Sequence, residues 1–164
     1  MEAPKLQRLS HFGAYSTSLD EFIKKHSSIA TVKLRISSNI DLTKFRLSAS
    51  QITTLHIVLG GYCEWGSCIA LPGAFPALRR LGASDAASNV GPGEVDIIVR
   101  ARCLPLDHPL STATSLSRLL EEFFIEIRNT DLYEQFEVYR QATKQIEEDG
   151  AIKKIYLSWP MEQN

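Results

Sequence analysis

Apolar residues return along this chain at fixed offsets. In Ile52-Thr53-Thr54-Leu55-His56-Ile57 they occupy positions 0, 3 and 5 of a short block, followed by Val58 and the pair Gly60-Gly61. Ile29, Val32 and Leu34 repeat that spacing. Leu6 and Leu9 open it again with His11 in the third slot, and Phe75 and Leu78 open it with Arg80 in that slot and Leu81 directly after. The starts at 6, 29, 52 and 75 are each 23 residues apart. Side chains alternate along a strand, so positions 3 and 5 share one side while positions 2, 4 and 6 share the other. Each block is therefore expected to be a short strand, and Arg80 implies a local shift that turns Leu81 inward.

The segments between the blocks carry weaker signals. Ser18 with Glu21 three residues on reads as a capping box, and Leu19, Phe22 and Ile23 then lie on one helical face as far as His26. Leu42 and Phe45 repeat the offsets of Leu19 and Phe22. Trp65 and Cys68 echo them only faintly, in what reads as a loop. After Leu81 the chain is expected to dissolve into a loop through Gly82 and Gly91-Pro92-Gly93. Val95 to Cys103 reads as a strand with Ile97, Val99 and Ala101 on one side. Ser111 or Thr112 is expected to cap a short helix through Leu119. Leu120, Phe123 and Ile125 then restore the strand spacing. Leu116 to Ile127 also fits a helical period, but the repeat context favours the strand. A longer helix runs from Thr130 or Asp131 to Glu148, with Leu132, Phe136, Tyr139 and Ile146 on its apolar side and Gly150 ending it. Ile152, Ile155 and Leu157 give the block once more, and Pro160 stops it.

A strand block with this apolar spacing, returning every 20–29 residues, is the leucine-rich-repeat signature. One such unit cannot bury its own apolar edge, and stacking the units creates a continuous interior. The expected fold is therefore α/β: a short leucine-rich-repeat solenoid with a curved parallel β-sheet, and helices or loops on its outer face. Residues 1–164 are expected to form one such domain, or a piece of a longer protein. The concave face would carry Arg8 and Ser10, then Thr31, Lys33 and Arg35, then Thr54 and His56, then Arg79, then Glu122, Phe124 and Glu126, and finally Lys154, Tyr156 and Ser158.

Composition narrows the function classes. The chain has 164 residues, 44% hydrophobic and 23% charged, enough for one substantial core. A net charge of −1 argues against a dedicated nucleic-acid binder. No apolar run reaches the roughly 18–20 residues that span a bilayer, and the segment from Met1 to Lys5 lacks the apolar stretch of a signal peptide. A cytoplasmic or nuclear protein, with no membrane partner, is the expectation. Three cysteines do not suggest a disulfide framework.

Leu6-Gln7-Arg8-Leu9, Phe75-Pro76-Ala77-Leu78-Arg79-Arg80-Leu81 and Ile152-Lys153-Lys154-Ile155-Tyr156-Leu157-Ser158-Trp159 together resemble the leucine-rich-repeat half of fungal F-box proteins. In that family the repeats recruit substrates, and a separate F-box helix bundle docks on a ubiquitin-ligase adaptor. The resemblance implies a substrate-recruiting surface here. No F-box-like segment is expected before Leu6.

Candidate chemistry is sparse. Cys63 and Cys68 flank four residues, at the edge of the spacing for a structural zinc pair, and no second pair completes four ligands with His56 or Cys103. A Cys–His nucleophile from Cys63 or Cys68 with His56 or His108 has no motif behind it. The glycine pairs lack the phosphate-loop and dinucleotide patterns and read as turns. Glu121 and Glu122 read as a solvated strand face. His11 reads as a partly covered edge residue. No metal and no cofactor is expected.

What remains is the lane of Lys33, Arg35, His56 and Arg79, with Phe124, Glu126 and Tyr156 at its other end. Arginine and aromatic residues dominate protein interfaces. The expected function is a non-catalytic module that binds a protein partner, with Phe124 and Tyr156 as anchors. Lys33, Arg35 and Arg79 would orient an acidic surface. The alternative is a small enzyme of unrecognised type with its site near Cys63 and Cys68. The first unit lacks a polar cap, which predicts self-association.

Overall fold

The computed structural model describes residues 6–12, 16–36, 49–59, 65–85, 92–104, 106–114, 119–126, 144, 148 and 154–158. Their elements are β1 (Arg8–Phe12), α1 (Thr17–Lys25), β2 (Thr31–Ile36), β3 (Thr54–Leu59), α2 (Trp65–Ala70), β4 (Arg80–Asp85), α3 (Pro92–Arg102), β5 (Glu122–Glu126) and β6 (Lys154–Ser158). The strands form one six-stranded sheet in sequence order, and every neighbouring pair is parallel.

The register follows the apolar blocks. Leu9, Val32, Leu55, Leu81, Phe123 and Ile155 pair in one row across the sheet, and His11, Leu34, Ile57, Ala83, Ile125 and Leu157 pair in another. The step is 23 residues from Leu9 to Val32 and from Val32 to Leu55, then 26 from Leu55 to Leu81. The fourth block therefore begins at Leu78, not at Phe75. Leu78, Leu81 and Ala83 fill the slots of Ile52, Leu55 and Ile57, and the expected inward turn of Leu81 is present.

One backbone bracket recurs just before β2, β3, β4 and β5. The Gln7 carbonyl accepts from the N–H groups of Ala30 and Thr31, at 3.3 Å each. Ala30 accepts likewise from Thr53 and Thr54, at 2.9 and 3.1 Å, and Thr53 accepts from Arg79 and Arg80, at 2.8 and 3.1 Å. Arg79 accepts from Glu121 and Glu122, at 2.7 and 3.2 Å. Each unit so closes its predecessor's chain entry, and the polar backbone there is paired as burial requires.

Helices cover the face that carries the two apolar rows. Leu19 and Ile23 of α1, Ile69 of α2, and Ile98 and Val99 of α3 join Val32, Leu34, Leu55, Ile57, Leu81 and Phe123 in a single buried cluster. The first unit is less covered: Leu6 is 45% exposed, whereas its counterparts Ile29 and Ile52 are fully buried.

Several elements differ from the sequence expectation. The N-cap of α1 is Ser16, whose side chain accepts from the Leu19 N–H at 3.2 Å, so Ser18 lies inside the helix and makes no capping box. Residues 65–70 are helical, and β4 runs through Gly82 where a loop was expected. The expected strand from Val95 to Cys103 is instead α3. Pro92 pre-sets the first helical turn, and Ile98 and Arg102, four residues apart, are both buried on one face. The β-branched run was misleading because Ile97, Val99 and Ala101 alternate as in a strand, and a stretch this short does not distinguish the two periods. Residues 111–114 are not helical. They return along α3, where the Thr112 N–H donates to the Arg100 carbonyl at 2.9 Å, and the Leu120 N–H donates to the Arg102 carbonyl at 2.7 Å. The contested segment at Glu122–Glu126 is a strand.

Leu42, Phe45, Gly60, Gly61, Cys63, Gly91, Gly150, Ile152 and Pro160 lie outside the described residues. Of the helix expected over 130–148, Lys144 and Glu148 are described. Both are helical, with an ion pair of 3.9 Å between them.

Candidate functional site: the polar face of the sheet

Since the helices pack on the apolar rows, the opposite face of the strands presents positions 2, 4 and 6 of each block. Register fixes three rows there. The first is Arg8, Thr31, Thr54, Arg80, Glu122 and Lys154. The middle row is Ser10, Lys33, His56, Gly82, Phe124 and Tyr156, and the third is Phe12, Arg35, Val58, Ser84, Glu126 and Ser158. Lys33, Arg35, His56, Phe124, Glu126 and Tyr156 thus share one face by register. Arg79 does not. It sits one residue before β4, and Arg80 takes the place expected for it. The three-residue change of step between the third and fourth blocks moved the arginine pair along the strand.

Ion pairs divide this face. Arg80 Nε lies 3.2 Å from Glu122 Oε2 on the adjacent strand, and Arg79 Nε lies 3.8 Å from Glu121 Oε1. These side chains are substantially exposed, so each pair contributes little stability, on the order of 0–1 kcal/mol. Their effect is to occupy both arginines. Arg8, Lys33 and Arg35, on β1 and β2, are exposed and have no ion-pair partner among the described residues.

At the centre, His56 leans towards β4. Its Nε2 is 2.6 Å from Ser84 Oγ, and its ring centroid is 6.3 Å from that of Phe124 at an interplanar angle of 50°. Gly82 makes this possible. A Cβ there would stand 3.1 Å from His56 Nδ1 and 3.3 Å from Cγ. The missing side chain lets the imidazole lie across β4 and approach Phe124, and Ser84 is 3% exposed beneath it. Sequence reasoning found His56 and Phe124 but missed Gly82 and Ser84. With the fourth block started at Phe75, both fell outside the strand.

His56 and Ser84 form a base–hydroxyl pair, but a buried hydroxyl offers no line of attack to a substrate. Cys103 is fully buried, and burial pushes its thiol well above the ordinary thiol range, so it stays protonated and inert. Cys68 is half-buried. Among the described residues no group of three or more His, Cys, Asp or Glu is placed to hold a metal ion, and no helix is long and apolar enough to cross a membrane.

No family model matches this chain, and neither curated proteins nor solved structures give a significant match. The functional reading therefore rests on the residues themselves.

Away from the polar face, a second polar centre is structural. Arg102 is fully buried, with Nη1 donating to the Ala74 carbonyl at 2.8 Å and Nη2 to the Phe75 carbonyl at 3.1 Å. Its Nε has no hydrogen-bond partner among the described residues. Burial lowers its pKa, and the adjacent Cys103 acts in the opposite direction. Phe75 adopts a left-handed backbone, φ 45°, rare for a bulky residue. The arginine secures the turn that directs this phenylalanine into the core.

Proposed function

We propose that this protein is a non-catalytic binding module of the leucine-rich-repeat type, which docks a protein partner on the polar face of its parallel sheet. The supporting observation is the segregation of the two faces. The apolar rows pack against α1, α2 and α3, while Arg8, Lys33, Arg35 and Arg80 stand exposed on the other face. The first four strands, stepped by 23, 23 and 26 residues, support the repeat assignment, and the steps to β5 and β6 are longer, 42 and 32 residues. Within this reading, His56 and Phe124 offer a central aromatic anchor and the surrounding charges set orientation. The resemblance to fungal F-box proteins narrows the role to substrate recruitment for a ubiquitin ligase.

Site-specific photo-cross-linking in cells that express the full chain tests the reading. A photoreactive phenylalanine analogue at Thr54 is expected to give discrete protein adducts, and the same analogue at exposed Glu21 on α1 is expected to give none. Equal labelling from both positions, or none from Thr54, would contradict it.

A further inference from the structure

We infer that the β1–β3 part of the polar face binds an extended protein segment whose carboxylates occupy alternate positions; this rests on the proposed binding role and names the partner's chemistry. Arg8, Lys33 and Arg35 are exposed, and none is neutralised by an ion pair among the described residues. Their same-face neighbours by register on β1 to β3 are Ser10, Phe12, Thr31, Thr54, His56 and Val58, none of them acidic. Arg80 on β4 already has a carboxylate partner in Glu122 on β5. Among the residues of this face whose side chains are described, the basic character that remains available therefore lies on β1 and β2.

Spacing selects the ligand. Lys33 and Arg35 are consecutive same-face residues of β2, about 6.6 Å apart along the strand. An extended peptide lying across the face over β2 and along its axis repeats the same interval, so a Glu-x-Glu segment brings one carboxylate to each. Arg8 pairs in register with Thr31, one strand spacing of about 4.8 Å away, and meets a third carboxylate two residues further along. A helical or blocked acidic segment places its charges at other intervals and engages fewer cations at once. Exposed charge pairs each change affinity by only about two- to fivefold, so selectivity comes from matching several together. Such contacts weaken steeply with salt.

Fluorescence anisotropy on the full chain at low salt, about 50 mM, tests this. The probes are a dye-labelled peptide with glutamate at every second position, an isomer with the glutamates in one block, and an oligothymidylate of matching charge. The alternating peptide is expected to bind at least about threefold tighter than either of the others. Lys33→Glu with Arg35→Glu is expected to weaken it by about tenfold or more, and Lys33→Ala with Arg35→Ala by less. Lys24→Glu with Lys25→Glu on α1, the same charge change on the helical side, is expected to leave it within about twofold. Equal binding of the block isomer, preference for the oligothymidylate, equal sensitivity to the α1 variant, or no peptide binding would each overturn the inference. If adducts from Thr54 persist while the peptide fails, the inference alone falls; if both fail, the binding face falls with it.

Discussion

Arg102 shows how a single side chain sustains an unusual backbone. Its guanidinium is removed from water and supplied with two carbonyl acceptors, and these belong to the turn that drives Phe75 inward. Arg102→Met keeps much of the apolar volume but leaves the Ala74 and Phe75 carbonyls without that donor. Unsatisfied buried groups cost about 1–3 kcal/mol each, so a loss of about 2–4 kcal/mol is expected by urea denaturation. A loss below about 0.5 kcal/mol would show that the clamp is dispensable. This residue could not be read from the sequence, where an arginine at the end of an apolar run looks like a solvated terminus. Cys103 beside it makes a pH prediction. Burial raises its thiol pKa in the folded state, so the folded protein holds the proton after the unfolded chain has released it. Stability is then unaffected by this thiol below about pH 8.5 and declines above that, by up to about 1.4 kcal/mol per pH unit. The decline should be absent in Cys103→Ala, as measured by urea midpoints between pH 8 and 10. An identical slope in that variant would contradict the assignment.

Among the elements, the pairing of α2 and α3 depends on one close approach. The Gly66 N–H donates to Glu94 Oε2 at 2.5 Å, and a Cβ at Gly66 would stand 2.7 Å from the Glu94 carbonyl oxygen. Backbone cannot yield as a flexible side chain can. Gly66→Ala gains about 1 kcal/mol of helix propensity but incurs about 1–3 kcal/mol of overpacking. The expected outcome is a lower thermal midpoint, and a raised midpoint would show that the helices separate at little cost. Such a contact is invisible in the sequence, because Gly66 and Glu94 belong to different segments. The strands were far more legible. Ile29, Val32 and Leu34, and Ile52, Leu55 and Ile57, carry full-sized apolar residues in all three slots and set the register unaided. The fourth block misled because Phe75-Leu78 and Leu78-Leu81 both fit the first two slots and the third is only Ala83. Helices were legible where a cap and an amphipathic face coincided, as in α1, although the cap itself is Ser16. They were illegible in α3, whose apolar run is covered on several sides.

Across the molecule, stacked strands carry out two tasks with one alternation. Side chains at positions 3 and 5 make the interior with the helices, and positions 2, 4 and 6 make a surface whose chemistry changes from basic at β1 and β2 to ion-paired at β4 and β5. Most residues of the polar face could be placed from the sequence because parallel register carries each residue's row to the next strand. Arg79 was the exception, displaced by the longer step before β4. Both the core and the proposed binding surface depend on that register. Backbone nuclear Overhauser contacts between amide and Cα protons measure it directly in a labelled 18.3 kDa chain. Parallel cross-strand contacts are predicted to link Ser10, Lys33, His56, Gly82 and Phe124 from strand to strand; an antiparallel pattern, a one-residue slip or no contact between these strands would contradict it.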